Sequence, residues 1–132
     1  MANSIALLGN PNCGKTTLFN ILTGSRQRTG NWAGVTVDKK EGLYHYHNQT
    51  VTVVDLPGIY SMSSFDEQGS LDEQIGCEYI LSGEADLVVN IVDAANIERN
   101  LYLTLQLLEM NVPCLVVLNM LDIARQKKYY HR

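Results

Sequence analysis

No apolar run in this 132-residue sequence reaches the ~18–20 residues that a bilayer-spanning helix requires. The longest stretches, DLVVNIVDAA and VPCLVVLNML, are short and interrupted, and they read as buried strands. A basic excess is missing too. The formal net charge of −4 and a sequence pI near 5.2 leave no electrostatic footprint for nucleic acid. The opening MANSIALLGNPN has no basic region, and its apolar stretch is too short for a secretory signal. Cysteine is scarce: Cys13, Cys77 and Cys114 are odd in number and far apart. That spacing argues against a disulfide framework and a zinc pattern, and points to reduced thiols in a cytosolic compartment. Repeats, low-complexity tracts and linkers are absent as well.

What is present suits one soluble α/β domain, residues 1–132, with 45% hydrophobic and 18% charged residues. Apolar runs alternate with amphipathic segments, the pattern of a mostly parallel sheet with helices on both faces. SIALL reads as a first strand, GNPNCGKT as a loop, and TTLFNILTG as a helix closed by Gly24. Residues 25–37, SRQRTGNWAGVTV, show no clear period and read as a mobile loop. EGLYHYH and TVTVVDL read as antiparallel strands around a turn at Asn48-Gln49, giving the sheet one antiparallel edge strand. A second polar stretch, IYSMSSFDEQGS, again reads as mobile. LDEQIGCEYILSG reads as a helix, although Gly76 costs ~1 kcal/mol of propensity. DLVVNIVD is a buried strand, NIERNLYLTLQLLEMN a helix with Leu101, Leu105 and Leu108 stacked on one face, and PCLVVLN the last strand. LDIARQKKYYHR opens another helix. Five strands result, and the domain is expected to be cut short at its C-terminal edge, where a sixth strand would still follow.

Gly9-Asn10-Pro11-Asn12-Cys13-Gly14-Lys15-Thr16 matches G-x-x-x-x-G-K-[ST] between a strand and a helix, the context that gives the motif meaning. Glycines there let backbone N–H groups turn inward around phosphate oxygens at a helix N-terminus. Lys15 would reach the β- and γ-phosphates, the Thr16 hydroxyl would bind Mg²⁺, and Thr17 is counted with them as nucleotide-binding. The plain alternative is a glycine-rich turn with a surface lysine. Cys13 lies where a helix N-terminus lowers a thiol pKa, but its backbone N–H is the part expected to matter.

Asp55-Leu56-Pro57-Gly58 ends a strand. A carboxylate at Asp55 would hold Mg²⁺ and the Gly58 N–H would contact the γ-phosphate. D-x-x-G alone is weak, but an antiparallel hairpin between it and Thr16 strengthens it. Gly34, Val35 and Thr36 lie in the loop between the two motifs, with Thr36 as the second metal hydroxyl. Asn119-Met120-Leu121-Asp122 follows the last strand where N-K-x-D would specify guanine. Asp122 can accept the ring N–H and the exocyclic amine of guanine, which adenine cannot offer. Met120 supplies the packing of the usual lysine without its charge, so affinity is expected to be modest. Where a water-orienting glutamine often follows the glycine, this chain has Ile59.

In this order the four motifs resemble a Ras-like P-loop GTPase domain. GNPNCGKTTLFNILTGSRQRTGNWAGVTVDKKEG, DLPGIYS, SLDEQI and VLNMLD closely resemble the N-terminal cytosolic domain of the FeoB family of bacterial ferrous-iron transport proteins, from Ile5 to about Asp122. The resemblance implies slow GTP hydrolysis to GDP without the glutamine, on the cytoplasmic side of the inner membrane, and a guanine-supporting loop after the sixth strand that is expected to be missing here. It also implies a K⁺ ion held by Asn12 and by loop carbonyls around Gly30 and Trp32, offsetting charge on the phosphates. The catalytic set is then Asn12, Lys15, Thr36 and Gly58. Implied partners are a guanine nucleotide and the membrane iron-permease region of the full-length protein; a homo-oligomer stays open. Competing readings are a ribosome-assembly or tRNA-modification GTPase, which predicts a basic appended domain, and a nucleotide-gated binding module without turnover. An ATP-using kinase is disfavoured by Asp122.

Three side features carry alternatives. His45 and His47, two apart on a strand, would share a face; a solvated face is preferred over a metal site. Arg26 and Arg28 read as solvated loop charges rather than as internal arginine fingers. Trp32 would cover the nucleotide or meet a neighbouring chain.

Overall fold

The computed structural model describes residues 3–9, 14–58 and 71–119. Strands are β1 (Ser4–Gly9), β2 (Gln27–Asn31), β3 (Asp38–Tyr46), β4 (Gln49–Asp55), β5 (Leu87–Asp93) and β6 (Cys114–Asn119). Helices are α1 (Lys15–Thr23), α2 (Leu71–Ser82) and α3 (Ile97–Glu109), with a 3₁₀ turn, Ala94–Asn96, leading into α3. They form one sheet in the order β2-β3-β4-β1-β5-β6. β1 pairs in parallel with β4 and β5, and β5 with β6; β2–β3 and β3–β4 are antiparallel. This is the α/β fold of P-loop GTPases expected from the sequence.

β1 is central because its run can be buried on both faces: Ala6, Leu7 and Leu8 are fully buried. The period-two alternation of strands sorts the core into two layers. Leu7, Val53, Val89 and Ile91 pack with Phe19 of α1 on one face. Ala6, Leu8, Val54 and Val88 pack on the other with Cys77 and Ile80 of α2 and with Leu103 and Leu107 of α3. α1 ends where expected, at Gly24, whose φ of 57° suits glycine and whose N–H donates to Asn20 O.

Four expectations change. The segment read as a structureless loop contains β2, fully exposed and paired to β3 from Gln27↔Gly42 to Asn31↔Asp38. Its polar residues carry no apolar period because no layer covers them, so the sheet has six strands rather than five. The hairpin turn falls at 47–48, one residue early, and His47 adopts φ 48° in it. His47 therefore leaves the strand and does not share a face with His45, whose Nδ1 meets Thr50 Oγ1 at 3.0 Å. On α3 the buried stripe is Asn100, Leu103, Thr104 and Leu107, while Leu101, Leu105 and Leu108 are 38%, 57% and 57% exposed. The two polar members are satisfied there. Asn90 Nδ2 donates to Thr104 Oγ1 at 2.6 Å, and the Asp93 N–H donates to Asn100 Oδ1 at 3.2 Å. Finally, β6 is the outer strand among the described residues, and Leu115, Val116 and Leu118 are exposed rather than buried.

Candidate functional site

The four parallel strands all end along one edge of the sheet: β1 at Gly9, β4 at Asp55, β5 at Asp93 and β6 at Asn119. In an open α/β sheet the crevice outside the carboxyl ends, beside the strand where the order reverses, is where ligands bind. β1 is that strand. Gly14, at φ 89°, takes the left-handed conformation that lets the chain turn into α1. The N-terminus of α1, with its unpaired N–H groups and positive dipole end, opens on the crevice.

Lys15, the first residue of α1, donates from Nζ to Asp55 Oδ1 at the end of β4. Their side chains are only 11% and 8% exposed, so the pair is largely withdrawn from water. Both line a cleft of about 450 Å³ that Thr36, Val37 and Asp38 line with them. Lys40, Leu56, Pro57 and Asp72 complete it. Lys15, Thr36 and Asp55, far apart in sequence, are thus brought to one cavity. Sequence reasoning missed Asp72 and Lys40. The signal for Asp72 was ambiguous, because an acid in the first turn of a helix such as α2 is expected for the dipole alone.

The other expected residues divide. Thr16 and Thr17 expose their side chains on the first turn of α1. Gly34 has φ 78° in the loop that carries Val35 and Thr36. Gly9 closes β1 opposite Ile91. Leu56 sends its side chain fully into the core, and its N–H donates to Leu7 O at 3.1 Å, so it holds the strand end in place. Gly58 follows Pro57 and is half-buried. The backbone of Asn119 lies opposite Asp93 at the same sheet edge. Asn10, Pro11, Asn12, Cys13, Ile59, Met120 and Asp122 lie outside the described residues.

Gly30 sits inside β2 opposite Lys39, and Trp32 follows β2. The Trp32 N–H donates to Val37 O at 2.9 Å, and Trp32 O accepts from the Val35 N–H at 3.2 Å, closing residues 32–37 into a compact turn. The indole does not lie over the cleft. It packs against Tyr79 of α2 with ring centroids 5.4 Å apart, edge to face, and Lys39 Nζ stands 4.9 Å from its centroid. A separate cavity of about 430 Å³ lies there. Arg26 and Arg28 are likewise away from Asp55: Arg28 pairs with Glu41 at 2.9 Å and Arg26 Nε donates to Leu43 O at 3.2 Å.

The oxygen donors Asp55, Thr16 and Thr36 suit a hard divalent cation such as Mg²⁺. No group of three or more His, Cys, Asp or Glu that could hold a metal occurs among the described residues. Such an ion would therefore need ligands from phosphate and water. No helix among the described residues is long and apolar enough to cross a membrane. Burial pushes the Cys77 thiol up to about 11, with Glu73 and Glu78 adding to the effect, and burial raises Cys114 as well. Neither thiol is activated.

Comparison with known proteins supplies an independent line. The family described as Ferrous iron transport protein B matches residues 3–131. The chain is 67% identical over 124 residues to the Fe(2+) transporter FeoB of Escherichia coli K12, covering 94% of this chain but only 16% of that relative. Among solved structures it is similar to the cytosolic domain of L. pneumophila FeoB, with TM-score 0.87, 48% identity, and coverage of 95% of this chain and 52% of that one. It is also similar to an S. thermophilus NFeoB mutant bound to GDP, with TM-score 0.86, 49% identity, and coverage of 96% and 48%.

Proposed function

The chain belongs to the ferrous iron transport protein B family, and from that premise we propose that it binds guanine nucleotide and slowly hydrolyses GTP to GDP. In this reading it is the cytosolic switch domain of a bacterial Fe²⁺ transporter, on the cytoplasmic side of the inner membrane. The observation that carries the reading is the Lys15–Asp55 pair at the strand ends, sharing one cleft with Thr36. The GDP-bound relative supports guanine as the base. Nothing in the acidic composition supports the alternative of a nucleic-acid-directed GTPase.

Each residue then has a task. The α1 N-terminus and Gly14 cradle phosphate oxygens through backbone N–H groups. Lys15 exchanges Asp55 for the β- and γ-phosphates, freeing the carboxylate. Asp55, Thr16 and Thr36 would hold Mg²⁺, which offsets the charge of the phosphates when bound. Gly58 offers its N–H to the γ-phosphate, while Asn119, Met120 and Asp122 read and cover the guanine. Ile59 can neither donate nor accept, so backbone groups place the attacking water and turnover is slow. A K⁺ held by Asn12 and the carbonyls of Gly30 and Trp32 would supply the charge that other GTPases take from an arginine. The chain spans 16% of its E. coli relative, and the remainder is the proposed iron permease whose opening or driving this switch controls.

The test measures GTP hydrolysis with Mg²⁺ in KCl and in NaCl at equal ionic strength, with Asn12→Ala beside the parent and binding of a fluorescent GTP analogue followed in the same samples. Faster turnover in K⁺, removed by Asn12→Ala, supports the whole reading. Binding with equal rates in both salts removes the K⁺ assignment. Binding without any turnover reduces the domain to a nucleotide-gated module.

A further inference from the structure

Trp32 is the single tryptophan of the chain, set in a polar segment, yet its indole is docked among core residues of the α2 layer. Two contacts hold it. Tyr79 meets the ring edge to face at 5.4 Å, and the Lys39 ammonium stands 4.9 Å from the ring centroid. The polar handle is not used: Trp32 Nε1 is buried without a hydrogen-bond partner. A buried donor left unpaired costs free energy that the ring contacts and packing must outweigh, so the dock is weaker than its contacts alone would make it.

The backbone of the same residue governs the loop that carries Thr36. Trp32 N–H is bonded to Val37 O, and Trp32 O is taken by the Val35 N–H. While the indole is docked, the loop is folded back on itself by these two bonds, with Thr36 in the lining of the cleft that Asp55 also lines. α2, the element gripped by the indole, is also the element that brings Asp72 to the cleft wall. The Trp32–Tyr79 contact therefore couples the loop of Thr36 and Val37 to the helix of Asp72 through two residues that do not themselves line the cleft.

We propose that Trp32 docked on Tyr79 and Lys39 is a releasable latch that biases the Thr36 loop away from the γ-phosphate-bound arrangement, making Tyr79 and Lys39 positioning residues for GTP rather than for GDP. This rests on the GTP-switch reading above. A γ-phosphate that draws Thr36 toward Asp55 must pull on Trp32 through three residues, and linkage requires the reverse effect as well. Weakening the dock favours GTP; GDP, with no γ-phosphate, is indifferent.

The experiment compares affinities for mant-GDP and for mant-GMPPNP with Mg²⁺ in the parent, Tyr79→Ala, Lys39→Ala and Tyr79→Phe chains. Tyr79→Ala is expected to raise the GMPPNP-to-GDP affinity ratio by roughly two- to tenfold, the range a ring pair can supply. Lys39→Ala, a change outside the core, should raise it less, and Tyr79→Phe should restore the parent ratio. In the parent, Trp32 emission should shift to the red with GMPPNP and stay fixed with GDP. Ratios that stay at the parent value or fall, or an emission that does not move while GMPPNP binds, overturn the latch and leave the GTP reading intact. A parent that binds neither nucleotide overturns both.

Discussion

Lys15 and Asp55 stand 40 positions apart in the chain and share an ion pair at the mouth of the sheet, Lys15 opening α1 and Asp55 closing β4. Each keeps the other from being a lone charge in a place where water is scarce. Removing one partner of a largely buried pair leaves an uncompensated charge, so Lys15→Ala should destabilise the fold by about 3 kcal/mol, read as a lower urea midpoint. The same change should weaken mant-GDP binding at least about tenfold, since one strong phosphate contact is worth that much. A Lys15→Ala chain with the parent's midpoint would mean the pair is solvated and of little consequence.

Asp55→Asn separates the proposed metal role from the structural one. The amide keeps the shape and a partial bond to Lys15 but loses the charge that a divalent cation needs. Mant-GMPPNP binding should then respond little to adding Mg²⁺ or EDTA, whereas the parent should lose affinity severalfold in EDTA. An unchanged Mg²⁺ response in the variant would assign the ion to other ligands.

Gly42 is a packing requirement rather than a turn. A Cβ at this position of β3 would come within 2.6 Å of Thr23 Cγ2 and 2.8 Å of Arg26 O, where α1 leaves its last turn against the sheet. Thr23 is itself fixed there, its hydroxyl donating to Phe19 O at 2.7 Å. Gly42→Ala should therefore cost about 2 kcal/mol, as overpacking in a close contact does, with the loss visible in denaturant unfolding. A smaller loss would show that α1 can ride outward.

α3 shows how far the sequence could be read. Hydrophobicity put Leu101, Leu105 and Leu108 on one face, but the packed stripe runs through Asn100, Leu103, Thr104 and Leu107. Periodicity saw a helix and missed its orientation, because two members of the buried stripe are polar and earn their place through Asn90 and Asp93. β2 was missed for the matching reason: five exposed residues carry no apolar signal, only backbone pairing to β3. That Lys15, Thr36 and Asp55 share one cleft was legible because their motifs follow in order at a strand–helix turn, a loop and a strand end. The Trp32 dock was not, since nothing local to Trp32 names Tyr79 as its partner. The α3 assignment can be checked directly: Leu107→Ala should cost about 2–5 kcal/mol. Leu105→Ala on the exposed side should stay within about 0.5 kcal/mol. Equal costs would contradict the orientation.

Cys77 gives a pH dependence of known sign. Folding buries its thiol beside Glu73 and Glu78 and raises its pKa from 9.0 to about 11. Between those values the unfolded chain has released the proton and the folded chain still holds it. The unfolded state therefore binds fewer protons there, and stability falls as pH rises. Below pH 9 the thiol is protonated in both states and contributes nothing to the slope. The measurement is a urea midpoint series from pH 8 to pH 10.5 for the parent and Cys77→Ser, which crosses 9.0, where the loss begins, and stays below the folded value of about 11. The parent should lose stability more steeply than the variant, whose hydroxyl does not titrate in this range. At pH 8, alkylation of Cys77 should likewise be slow in the folded chain and fast in urea, because only thiolate reacts and burial withholds it. Parallel slopes, together with rapid alkylation of the folded chain, would place the thiol in water and α2 away from the core.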